Sequence, residues 1–266
     1  MKDKERIDKL LVDKQLAPSR ERAQAMVMAG VIYVGTQRIS KPSELFSKNS
    51  VITVKGEDHP YVSRGGVKLA GALDAFSVQV KDRICLDIGI STGGFTDCLL
   101  QRGAAHVFGV DVGYGQTAWK IRSDKRVQLI EKMNIRYLDK DLITQPVSLV
   151  VIDVSFISLR LVLPQLCRLF CSSEYSIEVI ALIKPQFEAG KDQVPKGGVI
   201  TDTVLHQKIV DALVLQVQSM GAVEVATVPS NLKGGDGNQE FLMHACFSQS
   251  AMLSYWQSYQ LMQSSS

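Results

Sequence analysis

From Ile84 onward, short apolar runs alternate with stretches of helical periodicity, and this alternation constrains the fold more than any other feature of the chain. The runs are Ile84–Ile90, His106–Val112, Val127–Ile130, Leu149–Val154 and Val179–Ile183. Short continuous apolar runs suit strands covered on both faces, as in a parallel sheet. A long amphipathic helix is predicted over Val204–Met220. Strands are then predicted over Glu224–Val228 and Glu240–Phe247, joined by a turn containing Gly234, Gly235 and Gly237. The pattern predicts an α/β, doubly wound sheet with an antiparallel strand at its end. The segment after about Ser248, rich in Ser and Gln, reads as a tail that frays at its very end.

The front of the chain follows another pattern. Ile7, Leu10 and Leu11 recur at helical spacing, Pro18 stops that helix, and Ser19 can cap a second helix whose apolar face is Ala23, Met26 and Val27. Gly30 suits that helix's C-terminus. Val31–Val34 and Val51–Val54 read as strands. The polar stretch Gly56–Pro60 breaks both periods. The expected organisation is a small α+β domain over 1–57, a linker over 58–62, an α/β domain over 63–250 and a tail over 251–266.

Charge divides the same way. Residues 1–68 hold thirteen Lys/Arg against eight Asp/Glu, a net of +5, whereas the remainder is net −2. A basic front on a near-neutral body points to a polyanionic partner. Lys4, Arg6, Lys9, Arg20 and Arg22 crowd around the two predicted helix N-termini, where backbone amides add to a phosphate-binding face. Five cysteines form no CxxC pair and read as reduced thiols in a reducing compartment, not as metal ligands. The charged start Met-Lys-Asp-Lys-Glu-Arg does not resemble a signal peptide, and no apolar run approaches the ~18 residues of a membrane span. A cytoplasmic protein is expected.

The stretch Asp87-Ile88-Gly89-Ile90-Ser91-Thr92-Gly93-Gly94-Phe95-Thr96-Asp97 carries the most chemistry. An apolar strand runs into a glycine-rich turn and then a helix, at the strand end where open α/β sheets bind ligands. Asp111 follows twenty-two residues after Gly89, where a carboxylate can accept from both hydroxyls of a nucleoside ribose. NAD and S-adenosylmethionine share that ribose. The loop is Gly-x-Ser-x-Gly-Gly, not the Gly-x-Gly-x-x-Gly of dinucleotide sites, and Asp87 suits a cationic sulfonium better than a pyrophosphate. Asn134, after the third strand, is a candidate for the adenine.

Two more strands end in charged residues, Asp153 and Lys184, and both ends should open on the edge that carries the loop. An Asp and a Lys facing each other there can act as an acid–base pair. Lys68, in Ser63-Arg64-Gly65-Gly66-Val67-Lys68, and Glu240, after the Gly-rich turn, complete the order Lys, Asp, Lys, Glu. Lys68 near Lys184 would favour loss of a proton from Lys184, the expected general base, whereas Asp153 and Glu240 would oppose that shift while orienting the lysines.

This order, with the Asp87–Asp97 loop between, resembles the TlyA family of ribosomal RNA 2'-O-methyltransferases, also labelled hemolysin, whose catalytic domain is FtsJ-like. Ser19-Arg20-x-x-Ala23 and Gly30-Val31-Ile32-x-Val34 resemble the RNA-binding domain of a small-subunit ribosomal protein and some pseudouridine synthases. The resemblance covers nearly the whole chain. It implies a Rossmann-like class I S-adenosylmethionine-dependent methyltransferase domain behind a small RNA-binding domain. It also implies ribosomal RNA as partner, a ribose 2'-hydroxyl as acceptor, and no metal. The catalytic set it implies is Lys68, Asp153, Lys184 and Glu240. The expected cofactor contacts are Asp87, Gly89, Ser91, Gly93, Phe95, Asp111, Asn134 and Asp153, and the expected RNA contacts are Lys4, Arg6, Arg20 and Arg22. A non-catalytic ribosome-assembly factor and a cytolysin are the alternatives. The intact Lys/Asp/Lys/Glu set argues against the first, and the lack of a signal peptide and membrane span against the second.

Overall fold

A computed structural model describes residues 3–28, 30–54, 59–171 and 176–264. Near the N-terminus, β1 (Lys4–Arg6) leads into α1 (Ile7–Asp13) and α2 (Arg20–Met28). Ser19 caps α2 as expected, its Oγ accepting from the Arg22 amide at 3.2 Å. Four short strands follow: β2 (Ile32–Val34), β3 (Gln37–Arg38), β4 (Leu45–Ser47) and β5 (Ile52–Val54). β3, β2 and β5 form one antiparallel sheet, and β1 pairs with β4. Ile7, Leu11, Ala23, Val27, Ile32 and Ile39 close a separate small core. Asp58 of the expected linker, and residues 55–57 before it, lie outside the described residues.

The second unit opens with α3 (Gly65–Ala75). The chain then alternates through β6 (Ile84–Ile88), α4 (Gly94–Gln101), β7 (His106–Val110), α5 (Trp119–Arg122), β8 (Val127–Ile130), β9 (Leu149–Ile152), α6 (Leu159–Phe170) and β10 (Ile177–Ile183). It ends with α7 (Pro185–Glu188), α8 (Thr203–Ser219), β11 (Ala222–Pro229), β12 (Phe241–Phe247) and α9 (Gln249–Ser264). The seven strands are ordered β11-β12-β10-β9-β6-β7-β8. β8, β7, β6, β9 and β10 are mutually parallel, and β12 runs antiparallel between β10 and β11. This is the doubly wound sheet that the alternation predicts. Strand order reverses between β6 and β9, and that switch point is where such sheets bind ligands.

The two faces of the sheet build two cores. One packs β6, β9 and β10 against α6, α8 and α9, and the other packs them against α3 and α4. Three expected strands end earlier than read. β6 stops at Ile88, β7 at Val110 and β9 at Ile152, because the chain turns into the ligand edge there. Gly89, Asp111 and Asp153 are therefore the first residues beyond their strands. The expected tail is helical instead: α9 packs on α6, with Met252 buried and Tyr255 and Trp256 against the core. No helix among the described residues is long and apolar enough to cross a membrane.

Candidate active site

The loop after β6 is shaped by close backbone approach. Gly89 has φ +89°, and a Cβ there would stand 2.4 Å from the Asp153 carbonyl oxygen, so only glycine lets the ends of β6 and β9 meet. A Cβ on Gly94 would fall 2.1 Å from Ser63 Oγ, so the start of α4 lies directly against the Ser63–Gly66 turn. Asp111 locks the loop from β7: its Oδ2 accepts from the Ser91 amide at 2.8 Å and its Oδ1 from the Gly113 amide at 2.6 Å. A carboxylate has about four acceptor sites, so Asp111 can still take two hydroxyls. Asn134 caps the turn after β8 by accepting from the Arg136 amide at 3.0 Å.

Asp87 lies below this loop, wholly buried in β6. One oxygen accepts from Thr96 Oγ1 at 2.6 Å, and the other has no partner among the described residues. Burial drives its carboxyl up to about 7 against that hydrogen bond, and the negative charges of Asp153 and Asp111 add to the rise. An uncompensated buried carboxyl facing a ligand loop favours a cation above it.

A cavity of about 180 Å³ opens over the loop. Ser63, Arg64, Lys68, Gly89, Ser91 and Asp153 line it, with Phe95 behind them and Met28 reaching in from α2. Of the expected cofactor contacts, Asp87, Gly93, Asp111 and Asn134 do not line this cavity.

The four charged residues form two ion pairs. Lys184 Nζ stands 2.7 Å from Asp153 Oδ1 and donates to Ser155 Oγ at 2.8 Å. Lys68 pairs with Glu240, and both are almost wholly buried, Lys68 at 8% exposure and Glu240 at 2%. Each ammonium is thus held by its own carboxylate. The Gly-rich turn places Glu240. Asn238 is buried, its carbonyl accepts from the Gly234 amide, and its side chain bonds Ile200 and Gly198 at 2.9 Å each. The β9–α6 loop is clamped to α7: Glu188 accepts from Ser158 Oγ at 2.6 Å and the Leu159 amide at 2.7 Å, and Phe156, with φ +64° and 90% exposed, leans on Phe187. Arg64, Ser155, Phe156, Met28 and Glu188 are site neighbours that the sequence reading did not assign.

In the front domain, Asp8 is fully buried. It accepts from Arg6 at 2.9 and 3.0 Å, from Gln24 at 2.9 Å and from Arg20 at 3.1 Å. Burial raises its carboxyl, but these hydrogen bonds outweigh that and hold it below the usual carboxylate range. Arg6 and Arg20 are thus tied to the fold, whereas Lys4 is exposed on β1. Arg22 reaches across to the His59 carbonyl at 2.6 Å. All five cysteines are free thiols, and burial pushes those of Cys85 and Cys167 up to about 12. Cys246 and Glu178 flank His244, where Glu178 bonds the imidazole at 2.7 Å and also pairs with Arg83.

These features define a class: a doubly wound α/β protein with a glycine-rich loop and two ion pairs, Lys184–Asp153 and Lys68–Glu240, beyond its strand ends, behind a small α+β domain. The chain belongs to the FtsJ-like methyltransferase family, which matches residues 61–247, and residues 5–52 match the S4 domain. It is 46% identical over 242 residues to Bacillus subtilis YqxC, which carries an rRNA methyltransferase name, covering 91% of this chain and 85% of that one. It is 44% identical over 239 residues to the 16S/23S rRNA (cytidine-2'-O)-methyltransferase TlyA of Mycobacterium tuberculosis, covering 90% of this chain and 88% of that one. The solved structure of a hemolysin-labelled protein from Streptococcus thermophilus matches with a TM-score of 0.70 and 37% identity, covering 98% of this chain and 99% of the other.

Proposed function

We infer that this chain transfers a methyl group from S-adenosylmethionine to a ribose 2'-hydroxyl of ribosomal RNA, acting in the cytoplasm where ribosomal subunits are made. The observation that carries this reading is the Lys184–Asp153 pair, set beyond β9 and β10 at the edge that holds the Gly89–Gly93 loop. When bound, S-adenosylmethionine supplies a methyl group on a positively charged sulfur. The Asp87 oxygen that has no partner among the described residues and the loop locked by Asp111 fit such a ligand.

The chain's own residues handle the proton and the ribose. A hydroxyl is a weak nucleophile until its proton can leave, and Lys184 Nζ is the group placed to take it. Asp153 and Ser155 fix the direction of that amine. The Lys68–Glu240 pair holds α3 against the turn before β12 and presents Lys68 to the cavity. Orientation of this kind supplies much of the rate in a displacement whose electrophile is already activated. Gly89, Ser91, Gly93, Phe95, Asp111 and Asn134 are assigned to the cofactor, and Lys4, Arg6, Arg20 and Arg22 of the S4 domain to RNA phosphates. The test is to incubate the purified chain with radiolabelled S-adenosylmethionine and ribosomal subunits that lack the modification, then map ribose methylation. Label on a 2'-oxygen of ribosomal RNA is expected. Subunits that bind the chain but take up no label would leave a non-catalytic assembly factor in its place.

A further inference from the structure

A second cavity, of about 430 Å³, lies where the S4 domain meets the cofactor loop. Its walls include Arg22 and Met28 of α2, Tyr61 after the linker, Thr92 of the loop, and Trp119 and Lys120 of α5. Trp119 is 74% exposed and Met28 44%, and both line the groove. The groove continues into the cavity over the loop, since Met28 and Thr92 line both. Its floor belongs to the site: Thr117 Oγ1 donates to the Ser91 carbonyl at 3.1 Å and the Ala118 amide to the Thr92 carbonyl at 3.1 Å.

We propose that this groove holds an unpaired nucleotide of the substrate RNA next to the one being modified, with its base stacked on Trp119 and its phosphate drawn by Arg22 and Lys120. The proposal rests on RNA being the substrate, as inferred above. Three observations select this occupant. An exposed indole beside cationic side chains is the arrangement that single-stranded RNA uses, base on ring and phosphate on cation. Lys120 donates to buried Asp97 at 2.8 Å, which fixes its stem, and an ammonium carries two further donors. The groove also opens, through Met28 and Thr92, into the cavity that Lys68 and Asp153 line, so a strand seated in it leads toward the charged pairs. Its volume is also within the ~300–1,000 Å³ of small-ligand sites, enough for a base and its sugar.

The chain contains two tryptophans, so Trp256→Phe leaves Trp119 as the sole indole, and Phe preserves the ring that Tyr259 stacks on. Titration of that protein with a short unstructured oligoribonucleotide should quench its fluorescence saturably. In the otherwise unaltered chain, Trp119→Ala should weaken the same oligonucleotide roughly ten- to hundredfold, and Trp119→Phe should retain most of the affinity. The thermal midpoint should hold, because the side chain lies mostly in solvent. No quenching, together with wild-type affinity in Trp119→Ala, overturns the proposal. Methylation separates the two readings. If Trp119→Ala methylates subunits like the active unaltered chain, with unchanged KM, the groove assignment fails and the enzyme reading stands. If the unaltered chain transfers no methyl group, the enzyme reading fails instead.

Discussion

Lys184 and Lys68 each meet a carboxylate, but their surroundings predict opposite consequences of removal. Lys184→Ala leaves Asp153 and Ser155 without their cation, but Asp153 is a quarter exposed and Ser155 lies at the surface, so water entering the space the lysine vacates can replace the lost contacts. The stability cost should be about 1 kcal/mol. Loss of a general base typically slows a reaction by about a hundred- to ten-thousandfold, or roughly 3–5 kcal/mol of barrier. Lys184→Ala should therefore melt and bind S-adenosylmethionine almost normally while losing methyl transfer. Lys184→Arg should do no better, because a guanidinium stays protonated and cannot accept the proton. Lys68→Ala strands Glu240, at 2% exposure, as a buried uncompensated charge, which costs about 3–5 kcal/mol. The double replacement Lys68→Met, Glu240→Leu removes both charges and should recover much of that stability. The decisive assay is single-turnover methylation of ribosomal subunits at saturating S-adenosylmethionine, followed against pH. The wild-type rate should rise with pH as the base loses its proton. A Lys184→Arg protein with near-normal single-turnover rate would refute the assignment and make Lys68 the next candidate.

Asp87 gives a pH test of the same edge. Its carboxyl is raised from 3.8 to about 7, so the folded chain keeps a proton that the unfolded chain releases. That contribution is complete below the lower value and disappears as pH climbs to the upper one, a loss of up to about 4 kcal/mol. Asp87→Asn should flatten the fall in melting temperature between pH 4 and 8, and an unchanged profile would show that Asp87 is not the group titrating. Asp111→Ala removes the acceptor that locks Ser91 and that is assigned to the ribose, and should weaken S-adenosylmethionine by about 1–3 kcal/mol in calorimetry. Unchanged affinity would remove Asp111 from the cofactor site. A chain truncated to begin at Tyr61, once shown to fold, should keep S-adenosylmethionine binding and lose most RNA affinity, and only the full chain should show a steep fall of log affinity with log salt.

Periodic features were readable from sequence, and pairings were not. The strand-to-glycine turn at Asp87–Gly94 and the charged strand ends at Asp153 and Lys184 announce themselves because each is a local break in an apolar run. The partner of Lys68 lies 172 residues away, and nothing local marks it. β3 spans two residues and β1 and β4 three each, and unlike the equally short but Val/Ile-rich β2 and β5 their sequences carry no β-branched run to mark them. α9 was hidden for a different reason. Ser and Gln dominate its composition, but Met252, Tyr255, Trp256 and Tyr259 recur at helical spacing, and that stripe brings Met252, Tyr255 and Trp256 onto the core.

The same limit bears on the RNA face. Net charge counts Arg6 and Arg20 as free cations, but buried Asp8 draws hydrogen bonds from both. Each guanidinium has five N–H donors, so both can still reach a phosphate with those that Asp8 leaves, although the charge they offer is partly neutralised. Lys4, exposed on β1, carries no such neutralisation from Asp8. Replacing Lys4 should therefore lower the salt slope of RNA binding by about one phosphate's worth, with the melting temperature unchanged. Replacing Arg6 should lower the melting temperature as well, since it removes a donor from a carboxylate with no access to water.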